Sequence, residues 1–402
     1  MTTEAAQSLI QLEDRYGAHN YTPLNAVFTR GEGPYLFDLD GRRYLDFLSA
    51  YSAVNQGHNH PRITAALVEQ ANKLALTSRA FRNDRYPLLL ERLCRLTGFD
   101  RALLMNTGAE AVETAIKAAR KWAYEVKGVP PSQAEIIVAA DGFHGRTTTI
   151  VGFSTDPAAH DGFGPFAPGF RVVPFGDLDA MAAAIGPNTA AILVEPVQGE
   201  AGVIIPPDDY LPGLRELADR HQVLLILDEI QSGLGRTGKL FAFEHADIRP
   251  DAVTIGKALS GGLYPVSAFL ASDEVMAVFK PGTHGSTYGG NPLACAVAEA
   301  ALDVLIDEGL IEAAASLAAH FRRRLEDLPR PPVTRIRSIG LWAGIDLAPD
   351  APIAREYCRK LMGQGLLCKD THVRTIRLAP PLVISKNQLD EGLDVLEQAL
   401  ND

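Results

Sequence analysis

The sequence predicts an α/β protein: a large domain with a mostly parallel, seven-stranded sheet between helices, and a second, smaller α+β domain. Seven short, continuously apolar runs recur between residues 102 and 271, and helical stretches lie between many of them. Strands that are apolar along their whole length are typical of a parallel sheet covered on both faces. After about residue 290 the pattern becomes mainly helical, which indicates the smaller unit.

The individual elements follow in chain order. The segment YLFDLDGRRYLDF at 35–47 alternates around Asp40 and Gly41, which indicates a hairpin. Helical spacing then appears at 61–77 and 86–97. The predicted sheet strands are 102–105, 135–140, 170–175, 190–196, 223–229, 252–256 and 266–271, with helices at 109–126, 177–185 and 210–221. The smaller unit has helices at 292–307, 311–328 and 385–400, with strands within 333–347 and at 374–378.

Three segments are expected from this pattern. Residues 1–50 form an N-terminal segment that packs with the small domain, residues 51–290 form the large domain, and residues 291–402 form the small one. The boundaries are soft, because no low-complexity linker separates the units.

Composition excludes several classes of protein. The chain has 402 residues, is 47% hydrophobic and carries a formal net charge of -11, which disfavours a nucleic-acid partner. The N-terminal stretch lacks a basic, apolar leader, and no apolar run reaches the length of a membrane span, so we expect a cytoplasmic protein without a membrane partner. The scattered cysteines contain no C-x-x-C pair, which predicts no metal site and fits a reducing compartment; they are Cys94, Cys295, Cys358 and Cys368.

Residues just after the predicted strands are the candidates for chemistry, because ligands bind beyond the carboxyl ends of the strands in an open α/β sheet. Thr107, Gly108 and Ala109 begin a long helix after the first strand. Free N–H groups and the positive end of the helix dipole make such a turn an anion site. The plain alternative is that Thr107 is an N-cap and Gly108 a tight turn.

The loop DGFHGRTTT at 141–149 follows the next strand and offers Phe143, His144 and Arg146. A flat ring can stack on a flat cofactor, and an arginine can bind a carboxylate with both arms of its guanidinium. A core phenylalanine and a surface arginine are the alternative interpretation.

Acidic and polar side chains follow two further strands. Glu195 and Glu200 lie in VEPVQGEAGV, and Asp228 and Gln231 lie in LDEIQSG. A carboxylate at the end of a buried strand needs a cationic partner. Lys257, at the end of another apolar run, would supply a structural ion pair.

A second interpretation joins these features into one site. A lysine can form a Schiff base with an aldehyde cofactor, and a carboxylate can pair with a protonated pyridine nitrogen. A phosphate-binding turn, a stacking aromatic ring, an acid and a lysine therefore describe the chemistry of pyridoxal 5′-phosphate. Their order on successive strand ends predicts this cofactor more strongly than any one of them.

The stretch LLILDEIQSGLGRTGKLFAFEHADIRPDAVTIGKALSGGLYPVSA resembles the cofactor-lysine signature of the class III (ω-type) aminotransferases. MNTGAEAVETAIKAAR, GFHGRTTT, VEPVQGEAGV and GSTYGGNPLA match the same family in the same order, so the resemblance covers nearly the whole chain. It implies a pyridoxal-phosphate-dependent transferase of fold type I. Within the family, the stretch at 18–61, TSRAF, DGFGPFAPGF and IRLAPPL are similar to the branch that uses ornithine.

The resemblance implies a role for each matching residue. Lys257 would hold the cofactor and move the proton, Asp228 would hold the pyridinium, and Gln231 would touch the ring hydroxyl. Ser286 and Thr287, in HGSTYGG, belong to the cofactor site, and Thr287 would reach the phosphate of a neighbouring subunit, so a homodimer is expected. The full expected cofactor set is Thr107, Gly108, Ala109, Phe143, His144, Glu195, Asp228, Gln231, Lys257, Ser286 and Thr287.

For the substrates, the resemblance implies that Tyr51 and Arg146 hold the α-amino and α-carboxylate groups of L-ornithine. Arg377 would bind the α-carboxylate of 2-oxoglutarate, and Glu200 would cover Arg377 while ornithine is bound. A masked arginine suits a site that accepts first a diamine and then a dicarboxylate. The implied products are glutamate and glutamate 5-semialdehyde, which cyclises, as in proline synthesis or arginine breakdown.

Rival interpretations are N-acetylornithine, 4-aminobutyrate or lysine as amino donor, and a non-catalytic protein that only holds the cofactor. Tyr51 favours ornithine, because a free α-amino group needs a hydrogen-bond acceptor. Arg82 departs from the family pattern where an aromatic residue is expected, and Phe81 is the candidate substitute. Asp38, Asp40 and Asp46 are interpreted as hairpin and turn residues.

Overall fold

The computed structural model describes residues 3–401; residues 1, 2 and 402, at the ends of the predicted N-terminal segment and small domain, lie outside it. Its largest sheet has seven strands, and only Ser267–Ala271 runs antiparallel to its neighbours. The predicted α/β fold with a mostly parallel seven-stranded sheet is therefore confirmed. The strand order is Arg101–Met105, Ser267–Ala271, Ala252–Ile255, Leu224–Asp228, Thr189–Val194, Glu135–Ala139 and Phe170–Val173.

Both faces of this sheet are buried, which explains why its strands are apolar throughout. In the strand Leu224–Asp228, Leu224 and Ile226 belong to one hydrophobic cluster, whereas Leu225 and Leu227 belong to another. Successive side chains of a strand point to opposite faces, so each face contributes to its own core. The carboxyl end of the strand then brings Asp228 to the edge of the sheet.

Helices cover the sheet and build the rest of the chain. The helix predicted at 61–77 ends earlier, at Ala71, where the side-chain amide of Asn72 donates to the carbonyl of Val68 (2.9 Å). No helix within residues 3–401 is long and apolar enough to cross a membrane. The α-helices are Glu4–Tyr16, Pro61–Ala71, Tyr86–Thr97, Gly108–Trp122, Thr148–Val151, Pro157–His160, Leu178–Ala184, Tyr210–His221, Asp273–Met276, Pro292–Asp307, Leu310–Glu326, Ala354–Gly363 and Lys386–Asn401. A π-turn follows at Ala123–Lys127, and 3-10 turns lie at Ala242–Ala246 and Lys257–Ser260.

Two four-stranded sheets lie outside the central one. The first joins the N-terminal hairpin to the C-terminal part of the chain, because Arg43–Asp46 pairs in parallel with Leu366–Leu367. The domain limits near 50 and 290 stay a prediction, since helix Pro292–Asp307 packs against helices on both sides of the second limit. The strands of the two sheets are Phe28–Glu32, Tyr35–Asp38, Arg43–Asp46 and Leu366–Leu367, and Val333–Ile339, Trp342–Leu347, Thr375–Leu378 and Lys369–Thr371.

A left-handed turn follows the strand Arg43–Asp46. Ser49, Ala50, Tyr51 and Ser52 have φ angles of 50°, 44°, 60° and 73°. Non-glycine residues avoid this region, at a cost of roughly 1–2 kcal/mol each. The turn therefore requires tertiary contacts to hold it, and it determines where the side chain of Tyr51 points.

Candidate active site

Lys257 begins the 3-10 turn that follows the strand Ala252–Ile255. Within the described part of the chain no ion pair holds its ammonium group. The alternative interpretation, a structural ion pair between Lys257 and Asp228, is therefore not observed. Burial lowers the pKa of Lys257, although the charges of Glu200 and Asp228 act in the opposite direction. A lowered pKa increases the fraction of neutral amine, which is the form that attacks an aldehyde.

His144, rather than Lys257, is the partner of the carboxylate at the strand end. Nδ1 of His144 lies 2.7 Å from Oδ2 of Asp228, and both side chains are almost completely buried. Thr254 Oγ1 donates to the other oxygen of Asp228 at 2.9 Å. Burial on its own lowers the pKa of His144, but the hydrogen bond and charge of Asp228 outweigh it, so the net shift is upward. This arrangement fixes the orientation of the Asp228 carboxyl group.

Glu195 connects two of the predicted loops. Its carboxylate accepts hydrogen bonds from the backbone N–H of Phe143 (2.9 Å) and of Gly199 (3.1 Å). Burial raises the pKa of Glu195 to about 7. These contacts place Glu195 as a link that orients the loop carrying Phe143.

The start of helix Gly108–Trp122 has a capping box. Thr107 Oγ1 accepts from the N–H of Glu110 at 3.2 Å, and Glu110 Oε2 accepts from the N–H of Thr107 at 2.8 Å. The Thr107 side chain is thus an N-cap, as the plain alternative states. The N–H groups of Gly108 and Ala109 have no acceptor inside the helix, as is usual in a first turn, and remain suited to an anion.

Most of the predicted cofactor residues line one cavity of about 200 Å³. It offers an amine with a lowered pKa, a fixed carboxylate and a helix N-terminus, which fit the aldehyde, the pyridine nitrogen and the phosphate of pyridoxal 5′-phosphate. It is lined by Gly108, Ala109, Phe143, His144, Gly145, Glu195, Asp228, Ile230, Gln231 and Lys257.

Three predicted cofactor residues do not line this cavity: Thr107, whose side chain is the N-cap described above, Ser286 and Thr287. Ser286 Oγ accepts from the side-chain amide of Asn106 (3.1 Å) and from the N–H of Gly289 (2.9 Å). Thr287 is exposed and does not line the cavity. Its contact with the phosphate of a second subunit stays a prediction.

Arg377 forms the centre of the predicted substrate site. Its guanidinium, only 1% exposed, has Nη1 at 2.8 Å from Glu200 Oε1 and donates from Nη2 to Gln231 Oε1 at 3.0 Å. Burial on its own raises the pKa of Glu200, but Arg377 outweighs it, so the net shift is downward. The ring of Tyr51 lies over this pair, with its centroid 5.3 Å from Cζ of Arg377.

Arg146 and Tyr51, the two side chains predicted to bind ornithine, line two different cavities. Arg146 is exposed, and its Cζ lies 5.9 Å from the ring centroid of Phe143. Together with Glu200 it lines a cavity of about 300 Å³. Tyr51 lines a separate cavity of about 670 Å³. The structure therefore places Tyr51 beside Arg377, whereas Arg146 only shares a cavity wall with Glu200, and a joint role of the two side chains toward ornithine stays a prediction.

Several residues near the site carried no separate sequence signal. Tyr21 and Lys369 line the cavity of Tyr51; Tyr21 lies inside the stretch at 18–61 that resembles the family, whereas Lys369 lies outside every matching stretch. Arg236, in GLGRTG, is completely buried and donates to the carbonyls of Leu341 (2.9 Å) and Pro380 (2.7 Å). Burial lowers the pKa of Arg236 to about 9.

Arg82 and Phe81 do not line the candidate active site of the single chain. Both are exposed, Phe81 to 69%, and neither lines the cavities that hold Lys257, Arg146 or Tyr51. The expectation that Phe81 substitutes for a missing pocket aromatic finds no support in the single chain.

The chain belongs to the class-III aminotransferases, a family of pyridoxal-phosphate-dependent transaminases, whose family model matches residues 16–400. An ornithine aminotransferase of Bordetella pertussis is 60% identical over 390 residues, which cover 97% of this chain and 95% of that one. A crystallised ornithine aminotransferase of Toxoplasma gondii, with partial occupancy of pyridoxal phosphate at its active site, has a TM-score of 0.96 at 44% identity and covers 100% and 95% of the two chains. An acetylornithine aminotransferase of Elizabethkingia anophelis has a TM-score of 0.90 at 48% identity, covering 99% and 100%. The predicted family, fold and cofactor are therefore confirmed.

Proposed function

We propose that this protein transfers the δ-amino group of L-ornithine to 2-oxoglutarate, giving glutamate and glutamate 5-semialdehyde, which cyclises to pyrroline-5-carboxylate. The observation that carries the proposal is the ion pair between the buried Arg377 and the half-buried Glu200 beneath the ring of Tyr51. Such a pair presents a nearly neutral surface to a diamine. It presents a cation to a dicarboxylate once the glutamate moves away.

The residues that line the 200 Å³ cavity have different roles in the proposed reaction. Pyridoxal 5′-phosphate supplies an aldehyde that captures the amino group and a ring that accepts electrons when a proton leaves. Lys257 would hold the aldehyde and would serve as the base and acid that moves the proton. Asp228, fixed by His144, would stabilise a positive charge at the pyridine nitrogen. Gly108 and Ala109 would bind the phosphate through backbone N–H groups.

Ornithine would enter with its δ-amine toward Lys257. Arg146 would bind the α-carboxylate, and the hydroxyl of Tyr51 would accept a hydrogen bond from the α-ammonium. Glu200 keeps Arg377 occupied during this half of the reaction, so the α-carboxylate cannot bind Arg377 and present the α-amine instead. In the second half, the α-carboxylate of 2-oxoglutarate would displace Glu200 from Arg377.

N-acetylornithine is the second candidate donor, favoured by the likeness to the acetylornithine aminotransferase of Elizabethkingia anophelis. Its acylated nitrogen carries no charge and keeps a single N–H, so it gains less from an acceptor such as Tyr51 than an ammonium group does. We therefore place ornithine first.

A homodimer belongs to the same proposal. Thr287 is exposed and lies outside its own cavity, which supports a role toward a second copy. Four free cysteines support a reducing location such as the cytoplasm. The place of the reaction in proline synthesis or arginine breakdown follows from the products.

The test is a half-reaction without oxo acid. The purified enzyme with its cofactor is mixed with L-ornithine, N-acetylornithine, 4-aminobutyrate or lysine in parallel. The visible absorbance is followed, and the cyclised semialdehyde is trapped. Loss of absorbance with ornithine together with trapped product supports the proposal. Faster loss with another donor would mean that this donor, and not ornithine, is the preferred substrate. No loss with any donor would contradict an aminotransferase activity.

A further inference from the structure

Asp46 makes more contacts than a hairpin residue needs. Its side chain is 2% exposed, and Oδ1 accepts hydrogen bonds from the N–H groups of Leu48 (2.8 Å) and Ser49 (3.0 Å). Its other oxygen lies 2.8 Å from Nε2 of His58. Both oxygens are therefore occupied, one by the backbone that enters the next turn and the other by a histidine twelve residues further on.

The backbone that Asp46 holds is the left-handed turn Ser49–Ser52. A run of non-glycine residues in this region persists only when surrounding contacts over-determine it. Ser49 Oγ donates to the carbonyl of Ala379 at 2.6 Å, and the N–H of Val54 donates to the carbonyl of Ser49 at 3.1 Å. Asp46 adds the charged acceptor at the beginning of the turn, and hydrogen bonds to charged groups are among the stronger ones.

The turn determines the position of Tyr51. At φ 60° its side chain lies over the guanidinium of Arg377, 5.3 Å from ring centroid to Cζ. If residues 49–52 relaxed to the right-handed form, the Cα–Cβ bond of Tyr51 would point elsewhere. The ring would then leave Arg377, although the residues at Lys257 would be untouched.

We propose that Asp46, held by His58, is a positioning residue for substrate selection, because its carboxylate fixes the left-handed turn that places Tyr51 over Arg377. The inference deepens the proposed function and rests on it for the choice of donor. It extends the interpretation of Asp46 as a turn residue, because the turn that Asp46 holds carries Tyr51. Both oxygens of Asp46 are occupied by protein groups, so we assign it a positioning role rather than a direct contact with the substrate.

Asp38 provides the matched control, because it is the aspartate that performs the ordinary hairpin role. Its Oδ1 accepts from the N–H groups of Asp40 (3.0 Å) and Arg42 (2.9 Å), and its Oδ2 from the hydroxyl of Tyr44 (2.8 Å). None of these contacts reaches the turn at 49–52. Asp38→Asn should lower the melting temperature without changing the choice of donor.

The test is a double-mutant cycle on the ornithine half-reaction of the enzyme with its cofactor. It compares Asp46→Ala, Tyr51→Ala and the double variant with the native chain. We expect Asp46→Ala to lower the ratio of the maximal half-reaction rate constant to the apparent Kd for ornithine about tenfold, mainly through a higher Kd, as expected for a lost hydrogen-bonded charge. In the double variant Asp46→Ala should add almost nothing to the loss caused by Tyr51→Ala. Losses that multiply would mean that the two residues act independently, and would overturn the proposal.

A crystal structure of Asp46→Ala gives a readout that does not depend on activity. The ring of Tyr51 should leave Arg377, and an unmoved ring would overturn the proposal. If Asp46→Ala does not fold, Asp46→Asn and His58→Gln replace it. For these variants we expect a smaller loss of activity and a smaller displacement of the Tyr51 ring. If the native enzyme rejects ornithine, the proposed function fails, but the position of Tyr51 still decides this inference.

Discussion

Oε1 of Glu200 lies 2.8 Å from Nη1 of Arg377, and the guanidinium is withdrawn almost completely from solvent. A buried cation is expensive unless it is paired, so the carboxylate both stabilises the arginine and blocks it. Gln231 holds the other arm of the guanidinium at 3.0 Å, and Tyr51 covers it from the side. The site can therefore change its effective charge by moving one side chain.

Glu200→Ala should weaken the choice between the two amines of ornithine. Without Glu200, Arg377 is free to bind the α-carboxylate and bring the α-amine to Lys257. We expect the preference for the δ-amine to fall by about tenfold or more, since leaving the buried Arg377 unpaired costs several kcal/mol, which binding of the α-carboxylate of ornithine would recover. Mass spectrometry of the oxo-acid products measures this ratio, and Glu244→Ala, an exposed site, is the control. An unchanged product ratio would show that Glu200 does not control regiochemistry.

Tyr51→Ile should shift preference from ornithine toward donors without an α-amino group. The variant removes both the hydroxyl and the ring above Arg377. We expect KM for ornithine to rise about tenfold, the effect of losing a hydrogen bond to a charged group, with little change for 4-aminobutyrate. Tyr51→Phe keeps the ring and separates the two contributions. Equal effects on both donors would mean that Tyr51 acts only through the fold.

The sequence was sufficient for the sheet and for most of the site. Strands such as Leu224–Asp228 are apolar throughout because both of their faces enter hydrophobic clusters. Parallel strands end at the same edge, which brings Asp228 and Lys257 to the same cavity although 29 residues separate them in the chain. The roles of these residues toward the cofactor remain predictions.

The supporting contacts could not be predicted, for physical reasons. In FLSAYSAV nothing in residue type indicates four left-handed residues, because the turn is held by distant partners such as the carbonyl of Ala379. Arg236 bonds to main-chain carbonyls 105 and 144 residues away, which have no side-chain signature. The partnership of Asp228 with His144 likewise depends on two loops meeting in space.

Lys257→Ala should abolish turnover and the visible absorbance that the lysine confers on the bound cofactor. Burial lowers the pKa of Lys257, and no other amine lines its cavity. The native reaction gains several orders of magnitude from positioned nucleophilic and acid–base groups. Stopped-flow absorbance and product assays check the result against Lys239→Ala, an exposed lysine. Turnover retained by Lys257→Ala would contradict the assignment.

Glu229→Gln should change how stability depends on pH. Burial raises the pKa of Glu229 to about 7 from a usual value of 4.5, although Ser232 Oγ and the N–H of Phe243 donate to it at 2.5 and 3.0 Å. A raised carboxyl pKa means that the folded state binds the proton more tightly. The native chain should therefore lose about 3 kcal/mol between roughly pH 4.5 and 7, and little more above that range.

The variant lacks this titration, so its melting temperature relative to the native chain should rise from pH 5 to pH 8 and then stay level. Glu195, whose burial also raises its pKa to about 7, is present in both proteins and cancels in the difference. Glu244→Gln, an exposed neighbour in the same segment, should show a flat difference over the same range. A flat difference for Glu229→Gln would mean that Glu229 is already ionised in the folded protein at pH 5, and that its hydrogen bonds outweigh its burial.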